Sequence, residues 1–176
     1  MSRFKSNRYP ALFVILSVMV MMTTSAFSND DHKVTITSWG NGSPELEITV
    51  PSDYGVEKHK GPDFDVHYLA SKNPRDPVMG IYIGHHPNLF SSRLKGIAVE
   101  REKGTILGQK AEWIAWQDKE NDAAVYHCET IVPGVFKGAG ASGIAALMLH
   151  IFVNGPDKTK VQSLRKTTES MRVIQK

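Results

Sequence analysis

Hydrophobic and polar residues alternate along most of the chain after residue 30, and this pattern predicts a fold built mainly from β-strands. In the segment ELEITV, Leu46, Ile48 and Val50 share one face of a strand that Pro51 ends. Further strands are predicted at 34–39, 64–70, 78–84, 105–117, 122–132 and 146–153. The polar segment 118–121 separates two of them and predicts a hairpin connection.

Helical patterns occur at two places. Segment 87–95 starts with a proline and is followed by Gly96, which predicts a short helix. From Asp157 onward the spacing of apolar positions changes to three and four residues, which predicts a long amphipathic helix with Asp157 as its N-cap. Its buried face would carry Val161, Leu164, Thr168 and Met171. The expected fold class is therefore α+β, a mainly antiparallel sheet of six or seven strands flanked by helices.

The order of these elements from Leu46 to Ile174 resembles the Mog1/PsbP-like family. The matching pieces are ITVPSDYGV, the segment GQKA that leads into a strand, the hairpin through DKEN, the strand LMLHIFV and the C-terminal helical segment. That last segment ends in Ser170-Met171-Arg172-Val173, similar to a family stretch of the form S-x-R-hydrophobic. The resemblance implies an α/β/α sandwich and a binding or accessory role. It supplies no catalytic residues, and the strand at 34–39 is not part of the family pattern.

The first 28 residues have the three parts of a secretory signal peptide. Arg3, Lys5 and Arg8 form a basic start, segment 11–22 is apolar, and Ala26 and Ser28 are small residues at alternate positions. Twelve apolar residues in a helix reach about 18 Å, short of a hydrocarbon core of roughly 30 Å. We therefore expect cleavage after Ser28, with cleavage after Ala26 as the alternative. The mature single domain would span 29–176 and lie in the periplasm or outside the cell.

Removal of the signal peptide changes the net charge. The whole chain has 21 Lys and Arg against 18 Asp and Glu. The signal peptide contains three of the basic residues and none of the acidic ones, so the mature chain has 18 of each. A balanced domain has no general attraction to nucleic acid or anionic lipid. We expect neither as a partner, and no stable membrane anchor after cleavage.

Cys128 is the one cysteine of the chain, which excludes an internal disulfide. It alternates with Tyr126 and Thr130 on one face of a predicted strand, where it is expected to be buried as a small apolar residue. His127 would point to the opposite face, so these two neighbours do not form a nucleophile and base pair.

The segment GAGASG at 138–143 matches the glycine spacing of a dinucleotide loop, but it lies late in the chain, with no room for the rest of a doubly wound sheet, and the run after it resembles a buried strand at least as well as a helix. A binding loop between two strands is the simpler interpretation, and no cofactor is expected. Trp39 lies beside the turn Gly40-Asn41-Gly42, where it could contact a partner. The candidate partner-binding residues are Trp39, His85, His86, Phe136, Gly138, Gly140 and Gly143.

The leading functional hypothesis is a non-enzymatic, exported protein that binds another protein, as an accessory, inhibitor or immunity protein that meets a secreted enzyme. One alternative is a carrier of a metal or small ligand that uses the region of His67, His85 and His86. Another alternative is a hydrolase whose dispersed site is assembled from Asp65, His67 and His86. No ligand spacing characteristic of a metal site occurs, so no metal is assigned.

Overall fold

The computed structural model describes residues 30–37, 45–62, 64–120, 122–136 and 147–174, in which ten strands form two antiparallel sheets. The strands are β1 Asp31–Thr37, β2 Glu45–Pro51, β3 Tyr54–Lys60, β4 Phe64–Ser71, β5 Val78–Gly84, β6 Val99–Ile106, β7 Gln109–Glu120, β8 Ala123–Phe136, β9 Leu147–Gly155 and β10 Arg172–Ile174. The α-helix of these residues, α1, spans Lys158–Lys166, and two short 3₁₀ turns span Phe90–Arg93 and Thr167–Ser170.

The smaller sheet has the strand order β1-β2-β10, and the larger has the order β3-β4-β5-β9-β8-β7-β6. Residues directly opposite each other in an antiparallel pair share a face, so the register assigns every side chain of the larger sheet to one of two faces. The face that packs toward the smaller sheet and α1 is called the inner face here, and the other is the outer face.

The main hydrophobic core lies on the inner face. Alternate residues of β5 and β9 point into it, and β2 supplies the facing apolar residues from the smaller sheet. The fully buried members of these strands include Met79, Ile81, Ile83, Leu149, Ile151, Leu46 and Ile48. The predicted burial of alternate residues in β2 is confirmed. In β4, however, Leu69 is on the buried inner face, whereas Phe64 and Tyr68 lie on the outer face.

The predicted α/β/α sandwich with flanking helices is wrong. The described residues contain one α-helix of nine residues, packed on the inner face only, and the remainder is mainly strand. Segment 87–95 forms the four-residue 3₁₀ turn instead of a helix. The long C-terminal helix ends at Lys166, and the chain then passes through the second 3₁₀ turn into β10, which pairs with β2. Asp157 does cap α1, because its carboxylate accepts from the amides of Thr159 and Lys160.

Three strands were not expected, namely β3, most of β6, and β10. β3 is an edge strand whose residues after Tyr54 are all exposed, so it shows no apolar alternation. The predicted strand 105–117 is instead the end of β6, a two-residue turn and most of β7. Leu107 and Gly108 form that turn with φ angles of 51° and 74°, the left-handed values that tight hairpins require.

The outer face carries a buried carboxylate that holds the first 3₁₀ turn. Glu129 of β8 is 0% exposed and accepts hydrogen bonds from the amides of Phe90 at 2.9 Å and Ser91 at 2.7 Å. His150 of β9 donates to the same carboxylate at 2.9 Å. Burial alone would raise the pKa of Glu129, but these hydrogen bonds outweigh it and hold the pKa below its ordinary value of 4.5.

Aromatic rings cover the rest of the outer face around this anchor. Phe90 and His150 each contact Phe152, and Phe152 contacts Tyr68 of β4. Gly80 makes room for this packing, since a Cβ there would lie 2.0 Å from the Phe152 ring. His150 is buried, whereas Phe64, Tyr68, Tyr82 and Phe152 are half-buried, so the outer face around these four rings is partly open to solvent.

We expect Glu129→Gln to lower the free energy of unfolding at pH 7 by about 2–3 kcal/mol. One carboxylate oxygen, an acceptor, would be replaced by an amide nitrogen, which is a donor and cannot accept from the backbone amides or from His150. The folded-state pKa of Glu129 lies below that of the unfolded chain, so the carboxylate stabilises the fold fully above its ordinary value of 4.5. That contribution is lost as the pH falls through the folded-state pKa. In urea unfolding, the variant should therefore lose less stability than the parent between about pH 6 and about pH 3.

Glu112→Gln is the matched control on the same face. Glu112 is half-exposed and pairs with the half-exposed Arg101, so its replacement should change the free energy of unfolding by less than about 1 kcal/mol. Equal acid sensitivity of the parent and the Glu129 variant would contradict the role given to the buried carboxylate.

Candidate functional site

The candidate site is a cleft of about 500 Å³ between α1 and the strands β6, β7 and β8. Helix α1 packs mainly over β8 and β9, and among the described residues no α-helix covers the neighbouring part of the inner face, on β6 and β7. We call this space the α1 cleft. Its lining is Ile97, Ala98, Glu100, Arg101, Glu102, Trp113, Ala115, Trp116, Gln117, Tyr126, His127, Cys128, Lys158, Val161, Gln162 and Arg165.

The floor of the α1 cleft is apolar. Trp113 and Ala115 of β7 lie beside Tyr126 and Cys128 of β8 on the inner face, and Val161 of α1 forms the wall. The register fixes this arrangement, because Ala115 lies directly opposite Cys128. The floor can therefore receive an apolar part of a ligand and remove it from water.

Two ion pairs join the rims of the cleft. Arg165 of α1 makes a bidentate pair with Glu102 of β6, with both distances at 2.9 Å, and its guanidinium lies 5.4 Å from the centre of the Trp113 ring. The Arg165 hydrogen bonds hold the pKa of the Glu102 carboxyl below its ordinary value. Lys158 lies 3.5 Å from Glu100, and both of these side chains are exposed. The first pair is the stronger by geometry, because a planar guanidinium matches a carboxylate through two bonds.

The cleft continues around the edge of β7 toward the outer face. Strand β6 starts at Val99, opposite Trp116, so β7 beyond Trp116 pairs only with β8 among the described strands. There Trp116 and His127 stack with ring centres 5.0 Å apart and planes 9° from parallel. Burial lowers the pKa of His127, so its imidazole is neutral at pH 7.

The prediction that Cys128 is buried is confirmed, and so is the placement of His127 on the opposite face. Burial raises the pKa of the Cys128 thiol to about 12. At neutral pH the thiol is protonated, and a protonated thiol is a poor nucleophile. Cys128 therefore acts as an apolar part of the floor.

Of the residues proposed for metal binding or hydrolysis, His67 lies apart from the other two histidines. His67 and Asp65 are buried on the inner face of β4. His85 and His86 follow the end of β5, and the His86 amide donates to the hydroxyl of Tyr82, which lies on the outer face. The sheet therefore separates His86 from Asp65 and His67. Within the described residues, no group of three or more His, Cys, Asp or Glu side chains is arranged to hold a metal ion.

Asp65 and His67 instead join the two sheets. The Asp65 carboxylate is 0% exposed, with Lys58 Nζ 3.0 Å from one of its oxygens. That contact is an ion pair without hydrogen-bond geometry, and neither Asp65 oxygen has a hydrogen-bond partner among the described residues. Lys58 and His67 both reach the carbonyl oxygen of Thr37 at the end of β1. Burial, and then the Lys58 ammonium, lower the pKa of His67.

Most of the predicted partner-binding residues lie outside the described part of the chain. Trp39, Gly138, Gly140 and Gly143 belong to segments that are not described, as do the residues of the predicted signal peptide, and of Phe136 only the backbone is described. His85 and His86 are half-buried and exposed, respectively, with ring centres 6.3 Å apart.

The sequence did not reveal the α1 cleft. Trp113 and Trp116 lie on opposite faces of β7, and each is buried. Their shared proximity to Arg165 and Lys158 depends on how α1 lies across the sheet, which no local pattern encodes. The signal that was present is the spacing of Lys158, Gln162 and Arg165, which places three polar side chains on one stripe of α1.

None of the described residues forms a helix long and apolar enough to cross a membrane. No family model matches the chain, and no curated protein matches it in sequence. The Mog1/PsbP-like resemblance is therefore not confirmed as family membership. The fold is similar to a solved structure of LpqN, described as involved in cell envelope biogenesis of Mycobacterium tuberculosis. That similarity has a TM-score of 0.52 at 14% identity and covers 82% of this chain and 92% of LpqN, which establishes a likeness of fold.

Proposed function

We propose that the mature chain is an exported, non-enzymatic binding protein of the cell envelope, which holds a small ligand with an apolar part in the α1 cleft. The observation that carries the proposal is the cleft itself. Its volume of about 500 Å³ and its aromatic and aliphatic floor are typical of sites for small molecules. A binding role fits better than a catalytic one, since the charged side chains on its rims are paired and its thiol is protonated.

Export is supported by the N-terminal pattern of basic, apolar and small residues. The involvement of LpqN in cell envelope biogenesis is consistent with a location outside the cytoplasm. In a bacterial host, fractionation should recover the protein outside the cytoplasm, with a mature chain that begins at Asn29 by N-terminal sequencing. Recovery of a chain with an intact N-terminus from the cytosol would contradict the proposed export and cleavage.

The cleft is tested with the neutral apolar dye N-phenyl-1-naphthylamine, whose fluorescence rises when it leaves water. We expect saturable binding by the mature protein and a loss of affinity of about tenfold or more in Ala115→Phe, because the new ring fills the floor. Ala70→Phe is the matched control, a half-buried alanine on the outer face of β4. Equal dye binding by the parent and the Ala115 variant, with circular dichroism unchanged, would exclude the cleft as the site.

Binding of another protein is the second candidate function, and Phe90 favours it. The Phe90 side chain is 45% exposed, yet Glu129 fixes the turn beneath it through the Phe90 and Ser91 amides. A rigid, partly exposed aromatic ring is typical of an anchor residue in a protein interface.

If this candidate is right, Phe90→Ser should abolish capture of a specific partner from periplasmic extract by the mature protein. Val173→Ser, at a residue 40% exposed on β10, should leave that capture unchanged. Identical capture by the two variants, both shown to be folded by their melting temperatures, would argue against Phe90 as an anchor.

A further inference from the structure

The charges around the α1 cleft cancel one another. Glu100 and Glu102 of β6 face Lys158 and Arg165 of α1, which gives two negative and two positive groups. Each of these groups lies in an ion pair across the cleft, and Arg101, at the edge, pairs with Glu112 outside it. An ionic ligand would have to break one of these pairs, or would meet the paired partner as a like charge.

The uncommitted polar groups of the cleft are neutral. The side chains of Gln117, Tyr126 and Gln162 line it, and none of the three hydrogen-bonds to another described residue. The His127 ring stacks on Trp116 and likewise has its nitrogens available. Two amides, a phenol and a neutral imidazole can both donate and accept, which matches hydroxyl groups of a ligand.

The apolar floor and the neutral groups lie at different levels. Trp113 and Cys128 are buried at the bottom, whereas Gln117 and Gln162 are exposed at the rim. A ligand that uses both levels has an apolar part directed inward and a hydroxylated part at the surface.

We infer that the ligand of the α1 cleft carries an uncharged, hydroxyl-rich head group, of the kind found in glycosides, on an apolar part. This inference rests on the proposed function and specifies the class of ligand. The paired rims exclude ions from the entrance, Tyr126 and the two glutamines bind hydroxyl groups, and the floor holds the apolar part.

Three probes with the same eight-carbon tail test the head group, namely octyl β-glucoside, octanoate and octylamine. Each is titrated into the mature protein by calorimetry at pH 7, below its micelle concentration. We expect the glucoside to bind about tenfold or more tightly than either ion. Octanoate or octylamine binding as tightly as the glucoside, or more tightly, would overturn the inference.

Tyr126→Phe tests the hydroxyl contact. It should weaken octyl β-glucoside by about threefold or more, the effect of one lost neutral hydrogen bond, and should weaken N-phenyl-1-naphthylamine, which has no hydroxyl group, by less. Tyr68→Phe, a half-buried tyrosine on the outer face, is the matched control and should bind both probes as the parent does. An unchanged glucoside affinity in Tyr126→Phe would count against the inference.

Failure of this inference is distinct from failure of the proposed function. If the dye binds and Ala115→Phe blocks it, while an ionic probe is preferred, the cleft is a binding site for another class of ligand. If neither the dye nor any of the three amphiphiles binds, the proposed function itself is wrong, and this inference with it.

Discussion

The bidentate pair between Arg165 and Glu102 joins α1 to β6 across the cleft. The Arg165 side chain is only 13% exposed and lies over the Trp113 ring, whereas the Glu102 side chain is 64% exposed. The two parallel hydrogen bonds orient this pair more precisely than a single surface contact would. Because the pair links the helix to the strand at the rim, it stabilises the position of α1 beside the apolar floor.

The two faces of the larger sheet are shielded from water in different ways. The inner face is covered by the smaller sheet and α1, and it carries the main apolar core. The outer face has no second layer among the described residues. Its interior polar pair, Glu129 and His150, is satisfied by the backbone amides of a single 3₁₀ turn. A buried carboxylate that accepts several hydrogen bonds can thus position a loop on a sheet that is otherwise open.

The sequence predicted those features that depend on local pattern. The alternation of β2 and the cap at Asp157 needed no tertiary information. The extent of α1 does depend on tertiary structure. Residues 172–174 pair with β2 as the third strand of the smaller sheet, and this pairing outweighs the helical spacing of the apolar residues in that segment. The buried face of β4 was unpredictable for a similar reason. Asp65 and His67 point inward because Lys58 on the neighbouring strand β3 and Thr37, which is remote in sequence, contact them there.

The difference between local pattern and tertiary contact also explains why the sequence did not predict the candidate site, although it did predict the faces of individual residues in it. Tyr126 and Cys128 were correctly assigned to one face of a strand. The cleft, however, forms only at the side of α1, and the sequence of β8 does not show where α1 lies. Helix α1 packs on β8 and β9, and it lies close to Gly155, where a Cβ would lie 3.3 Å from Val161. Pairing with β2 takes the last residues of the chain into β10. Among the described residues, the inner face of β6 and β7 beside α1 therefore has no α-helix over it, and this is where the cleft lies.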